Sequence, residues 1–123
     1  MPKKKILLAD DSRTALMIER ALLVGSPYDV IVATDGYDAV QQALEAHPDL
    51  IILDVVMPNM DGFEACRRLR QLDPTRDTPI IMVTTRGEPH NVESGYEVGC
   101  NDYVTKPING PELLSKVRNL LGD

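Results

Sequence analysis

The chain has 123 residues, enough for one domain with a proper core and too few for two. Its hydrophobic content of 43% is ordinary for a globular protein, and 19 acidic against 13 basic residues leave a net charge of −6, which argues against a nucleic-acid surface. Only four apolar residues separate Lys3-Lys4-Lys5 from Asp10-Asp11, so neither a secretory leader nor a span of roughly 20 apolar residues is expected.

Ile6 to Ala9 is a short apolar run and reads as a first strand. Ser12 to Val24 has helical spacing, with an apolar stripe centred on Ile18 and Leu22, Ala15, Met17 and Ala21 beside it, and Glu19 and Arg20 pointing away; Gly25-Ser26-Pro27 stops it. Val30 to Ala33 is a second strand. Val40, Ala43 and Leu44 mark a second helix ending before Pro48, and Leu50 to Leu53 a third strand. Phe63, Cys66 and Leu69 mark a third helix after Gly62, and Pro79 to Val83 a fourth strand. Val92, Gly95, Tyr96 and Gly99 suggest a weaker helix, Tyr103-Val104 a short fifth strand. Leu113, Val117, Leu120 and Leu121 form the last helical face, with Asn109 as cap and Pro111 in the first turn.

Five strand–helix units with continuous apolar strands fit a parallel sheet covered on both faces, wound right-handedly into an α/β sandwich. No linker, repeat or low-complexity tail is apparent. Cys66 and Cys100 form no CxxC pair and have no nearby histidine at zinc spacing, so they read as small core residues in a reducing cytoplasm. His47 and His90 adjoin prolines in loop-like contexts and read as solvated.

In such a sheet, ligands bind outside the carboxyl ends of the strands. Asp10 and Asp11 follow the first strand, Asp54 ends the third, Thr84 and Thr85 end the fourth, and Lys106-Pro107 follows the fifth. Each has a plain structural reading: Asp10, Asp11 or Ser12 caps the first helix, Lys106 faces solvent, Thr84 merely fills a strand. Asp54 is harder to dismiss, because an unpaired charge at the end of a buried strand is expensive. Three crowded carboxylates repel, and one would take up a proton unless a hard divalent cation joined them. Mg²⁺ suits this set: two aspartates and a backbone carbonyl just past Asp54 could serve it, leaving positions for phosphate oxygens. Lys106 can pair with Asp54 in the empty site and with phosphate in the filled one; Thr84 can donate to a phosphate oxygen; Asp54 is then a candidate nucleophile.

The stretches KILLADDS, DLIILDVVMPNMDG, PIIMVTT and GCNDYVTKPI, with the acidic-pair–aspartate–threonine–lysine spacing, closely resemble the receiver domain of two-component response regulators over essentially the whole chain. The resemblance implies a flavodoxin-like (βα)5 three-layer sandwich with strand order 2-1-3-4-5, one receiver domain over residues 1–123. It implies Asp54 as phosphoacceptor, Asp11 and Asp54 as direct Mg²⁺ ligands with Asp10 acting largely through water, and the Val56 carbonyl as third protein ligand. It implies Thr84 as switch hydroxyl, Tyr103 as an aromatic that turns inward (against the plain reading of an edge-strand residue that simply packs), and Lys106 as phosphate-binding lysine before a cis bond to Pro107. The implied function is a cytoplasmic switch that accepts a phosphoryl group from a sensor histidine kinase or phosphotransfer protein.

Helix four, strand five and helix five would then change and engage a target protein or a second copy, with His90, Asn91, Glu93, Glu97, Lys116 and Asn119 as exposed members and Gly87, Gly95 and Gly99 permitting motion. With no output domain expected, the readout is another protein or self-association, without direct nucleic-acid or membrane binding. Val56 cannot orient a water and Thr85 is bulky, so slow self-dephosphorylation is expected; Arg86 could reach the phosphoryl group or face solvent. The alternatives are an unphosphorylated docking receiver, an aspartyl-phosphate phosphatase, for which Val56 would have to be a proton-carrying residue, and a flavodoxin-like cofactor binder, which two repelling carboxylates after strand one disfavour.

Overall fold

A computed structural model describes residues 3–23, 27–85 and 89–122, without the side chains of 85 and 89–93. The expectations for Gly25-Ser26, Arg86 and Gly87, and for the side chains of Thr85, His90, Asn91 and Glu93, lie outside the described residues.

Strands and helices alternate along the chain: β1 Lys4–Ala9, α1 Arg13–Leu23, β2 Tyr28–Ala33, α2 Gly36–Ala46, β3 Leu50–Asp54, α3 Gly62–Gln71, a 3-10 turn Asp73–Thr75, β4 Ile80–Thr85, α4 Pro89–Val98, β5 Asp102–Lys106 and α5 Gly110–Leu121. The strands are all parallel in the order β2-β1-β3-β4-β5, the expected flavodoxin-like sheet. Side chains alternate across it. Leu7, Ile51, Leu53, Ile80 and Met82 enter one core with α2 and α3; Ile6, Leu8, Leu50, Ile52, Ile81 and Val83 enter the other with α1 and α5. A strand buried on both faces must be apolar at every position, which is why β1, β3 and β4 read as unbroken runs. The edge strand β2 departs from that rule, with Val32 exposed and Val30 and Ile31 half-buried.

Local chemistry sets the helix starts. Ser12 Oγ accepts from the Ala15 N–H, so Ser12 rather than an aspartate caps α1. Asp35, Asp61 and Asn109 likewise accept from Asp38, Glu64 and Glu112. Pro111 sits in the first turn of α5, and Gly122 ends it in the left-handed region.

Three expectations need correction. The apolar stripe of α1 is rotated: Leu16, Glu19 and Leu23 are buried, while Met17 and Ile18 are exposed. Residues 15–18 are all apolar, so periodicity did not resolve the phase; the short Asp10–Ser12 connection to β1 does. His90 lies within helix α4 rather than a loop. Lys116 is half-buried, not exposed, because it pairs with Asp102 at 3.2 Å and lies over the Tyr103 ring. Gly95 and Gly99 also have local reasons. A Cβ on Gly95 would lie 3.2 Å from Cys100 Sγ, and Gly99 takes φ 106 at the end of α4.

Candidate functional site

Because the strands run parallel, their carboxyl ends share one edge. β1 delivers Asp10 there, β3 delivers Asp54, and β5 ends in Lys106. Asp10 and Asp54 are only 1% and 5% exposed, whereas Asp11 is exposed. One carboxylate oxygen from each of the three lies within 4.8 Å of the others. Lys106 Nζ stands 3.2 Å from Asp54 Oδ2 and 3.3 Å from Asp10 Oδ2. The pair with Asp54 was expected; the second pair, with Asp10, was not. The Lys106–Pro107 bond is cis, as expected.

Asp10 also holds the loop that follows it: its Oδ1 accepts from the Ser12 N–H at 2.9 Å. The loop after β3 is pressed just as closely onto the strand. Gly62 N–H donates to Val55 O at 2.9 Å, and a Cβ on Gly62 would fall 2.3 Å from Asp54 O. Val56 protrudes from that loop, 63% exposed.

Burial pushes the Asp54 carboxyl up to about 6, and the Asp10 charge adds to the effect, while Lys106 opposes both. For Lys106, burial alone would lower the ammonium; the Asp54 and Asp10 carboxylates outweigh it and hold the group above its ordinary value. At an effective dielectric near 20, two charges about 5 Å apart interact by roughly 3 kcal/mol, so each carboxylate is felt strongly by the next. One ammonium against three carboxylates leaves two negative charges uncompensated. Hard oxygen donors with that residual charge fit a hard divalent cation.

Thr84 is fully buried, and its hydroxyl donates to Val104 O at 3.5 Å, toward β5 rather than toward a carboxylate. Tyr103 is half-buried. Its ring meets Tyr96 edge-on with centroids 5.9 Å apart, and Lys116 lies over it while donating to its carbonyl. The structure thus gathers Asp10, Asp11, Asp54 and Lys106 into one cluster, while Thr84 on β4 and Tyr103 on β5 have their contacts elsewhere.

A family model described as the response regulator receiver domain matches residues 6–118. The chain belongs to the response regulator receiver domain family. A phosphorylation-dependent signalling switch is the function of this family, and its members are regulators rather than metabolic enzymes. The alkaline phosphatase synthesis transcriptional regulatory protein PhoP of Bacillus subtilis is 41% identical over 118 residues, 96% of this chain and 48% of PhoP. The chain thus spans about half the length of the curated relatives it matches. Among solved structures, the chemotaxis response regulator CheY4 of Vibrio cholerae is similar with a TM-score of 0.89 and 35% identity, covering 97% of this chain and 99% of CheY4. The receiver domain of the sensor histidine kinase PA1611 of Pseudomonas aeruginosa gives 0.91 and 30%, covering 98% and 99%, and holds a magnesium ion in its active-site cleft. No helix among the described residues of this receiver is long and apolar enough to cross a membrane.

Sequence reasoning missed one acid. Glu19 of α1 is 2% exposed, and its carboxyl is raised to about 7 by burial and by the Asp10 charge, against the pull of Lys106. The available signal was its spacing from Leu16 and Leu23, which puts it on their face of the helix.

Proposed function

We propose that residues 1–123 act as one receiver unit in which Asp54 accepts a phosphoryl group from the phosphohistidine of a sensor histidine kinase or phosphotransfer protein. The observation that carries this reading is a lysine 3.2 Å from Asp54 and 3.3 Å from Asp10, beside three carboxylates within 4.8 Å, at the carboxyl edge of a parallel sheet. An Asp54 oxygen attacks phosphorus in line. The new O–P bond forms as the P–N bond to histidine breaks, and the electron pair leaves with the imidazole. Lys106 exchanges a carboxylate for a phosphoryl oxygen, a stronger partner because it carries more charge.

Asp10, Asp11, Asp54 and the Val56 carbonyl are the groups that would hold Mg²⁺. Bound there, Mg²⁺ neutralises the carboxylates and offers open positions to phosphoryl oxygens. The Thr84 hydroxyl gives up its long bond to Val104 O for a phosphoryl oxygen, and Tyr103 turns into the space it leaves. That exchange biases α4, β5 and α5 toward a second arrangement, read by a target protein or a second copy. The buried free thiols of Cys66 and Cys100 are consistent with a cytoplasmic site of action. The chain catalyses only its own phosphorylation and slow dephosphorylation. Val56, two residues past Asp54, can neither move a proton as a phosphatase would require nor orient a hydrolytic water.

Intact-mass analysis after treatment with acetyl phosphate and Mg²⁺ tests the reading. The wild type gains one phosphoryl group that persists for minutes in the same buffer, and Asp54→Asn gains none. Modification of the Asn variant, or a wild type that stays unmodified, removes Asp54 from the role.

A further inference from the structure

Glu19 is a buried carboxylate that the phosphoryl-transfer scheme leaves idle. It enters from α1, on the helix face that also carries Leu16 and Leu23. Among the described residues none hydrogen-bonds it, yet every deeply buried side-chain oxygen or nitrogen of the described residues has a partner. Its oxygens are therefore not sealed into the core. Glu19 lines a cavity of about 220 Å³ between α1 and the segment after β5, together with Ala15, Ile18, Lys106, Pro107 and Ile108. Four of those six residues are apolar. The two charged ones are of opposite sign, and the Lys106 charge reaches Glu19.

Lys106, meanwhile, spends two of its three N–H donors on Asp10 and Asp54. Both acceptors belong to carboxylates of the three-carboxylate cluster. An ammonium and a divalent cation are rivals for them, because two positive charges a few ångströms apart repel. A cation on the cluster would press Lys106 away from Asp10, while the ammonium is still needed when the phosphoryl group arrives. A lysine released into water regains its rotamer freedom and has to lose it again.

We propose that Glu19 is a positioning residue that provides a second seat for the Lys106 ammonium, across the cavity behind β5, and keeps Lys106 beside Asp54 while the carboxylate cluster is occupied. This rests on the phosphoacceptor reading of Asp54. It accounts for a carboxylate placed where a buried apolar side chain would be cheaper: the residue serves the mobile lysine, not the core. The cavity gives the lysine room to move, and its apolar walls match the methylene stem of that side chain.

The test pairs a structural readout with a rate. The two Hε protons of Lys106, assigned by comparison with Lys106→Arg, report by NMR whether its side chain is held or freely rotating. In saturating Mg²⁺ the wild-type Lys106 signals stay distinct. In Glu19→Gln, and in Glu19→Leu, which refills the site with an apolar side chain, they collapse to a solvent-averaged signal. Phosphorylation by acetyl phosphate in saturating Mg²⁺ slows by about five- to tenfold in both variants, the scale expected when a reacting group loses its positioning. Lys106 signals that remain distinct in both variants overturn the proposal, as does a wild type whose signals are already averaged in Mg²⁺ or a rate unchanged in both. Should the Gln variant fail to fold, the Leu variant alone decides. A wild type that gains no phosphoryl group removes the phosphoacceptor reading, while the Lys106 signals in Mg²⁺ still decide whether Glu19 is its seat.

Discussion

At the scale of single residues, the buried acids Glu19 of α1 and Asp54 of the sheet edge cost the metal-free fold stability. Glu19 has an ordinary value of 4.5 and a folded value of about 7. Below the ordinary value the carboxyl is neutral in both states and the fold suffers no penalty. Between the ordinary and the folded value the unfolded chain gains by ionising and the buried group does not; above the folded value both are ionised and the penalty is complete. The contribution is therefore present in acid and lost by neutrality, about 3 kcal/mol for a shift of this size. Asp54, raised from 3.8 to about 6, acts in the same direction. Urea unfolding without divalent cations checks this. Glu19→Gln should match the wild type near pH 4 and be more stable by about 3 kcal/mol near pH 8; equal stability at both values would contradict the burial argument. A substitution that strengthens the fold and slows phosphorylation would place Glu19 among residues kept for function at a cost in stability.

At the scale of elements, the site depends on how closely loops return over strand ends. Gly62 opens α3 directly beneath the Asp54 carbonyl, and a methyl group there would sit 2.3 Å from that oxygen. Alanine ordinarily improves a helix by about 1 kcal/mol over glycine. Here overlap with backbone reverses the sign, because neither the strand nor the helix start can move without displacing Asp54. Gly62→Ala should lose about 2–4 kcal/mol in chemical denaturation and slow phosphorylation as well. A variant as stable as the wild type would mean that the loop yields more readily than its packing implies. Arg70 holds the opposite end of α3. Its guanidinium donates to the carbonyls of Gly99, Thr75, Arg76 and Thr78 and to Asn101 Oδ1. Asn101 Oδ1 in turn accepts from the Ile80 N–H. One side chain thus ties α3, the 3-10 turn, the start of β4 and the entry to β5 together, far from the reacting edge.

At the scale of the whole molecule, a rigid sheet separates a reacting edge from a surface that can rearrange. β1, β3 and β4 are buried on both faces, so they deliver Asp10, Asp54 and Thr84 with little freedom. The α4–β5–α5 side is held differently, by Tyr96 against Tyr103, Lys116 over Tyr103, and the Lys116–Asp102 pair. Partly exposed contacts of this kind are each worth little, so a few kcal/mol of new contacts to a phosphoryl group are enough to rearrange them. Hydrogen exchange with and without beryllofluoride and Mg²⁺ should change mainly over residues 96–116, leaving β1 and β3 unaltered. Changes spread evenly over the sheet, or absent from this side, would contradict a switch located there.

The order of elements, the parallel sheet and the four charged residues Asp10, Asp11, Asp54 and Lys106 were readable from the chain alone. Buried parallel strands must be apolar throughout, and a charge that ends such a strand stands out against them. The phase of α1, the burial of Glu19, the second partner of Lys106 and the half-buried place of Lys116 were not readable. Each depends on which groups from distant parts of the chain meet in space, and an apolar run such as residues 15–18 has no preferred inward face until the sheet supplies one. The resting bond of Thr84 to β5 belongs with these, because a hydroxyl on a strand chooses its acceptor only after its neighbour is in place.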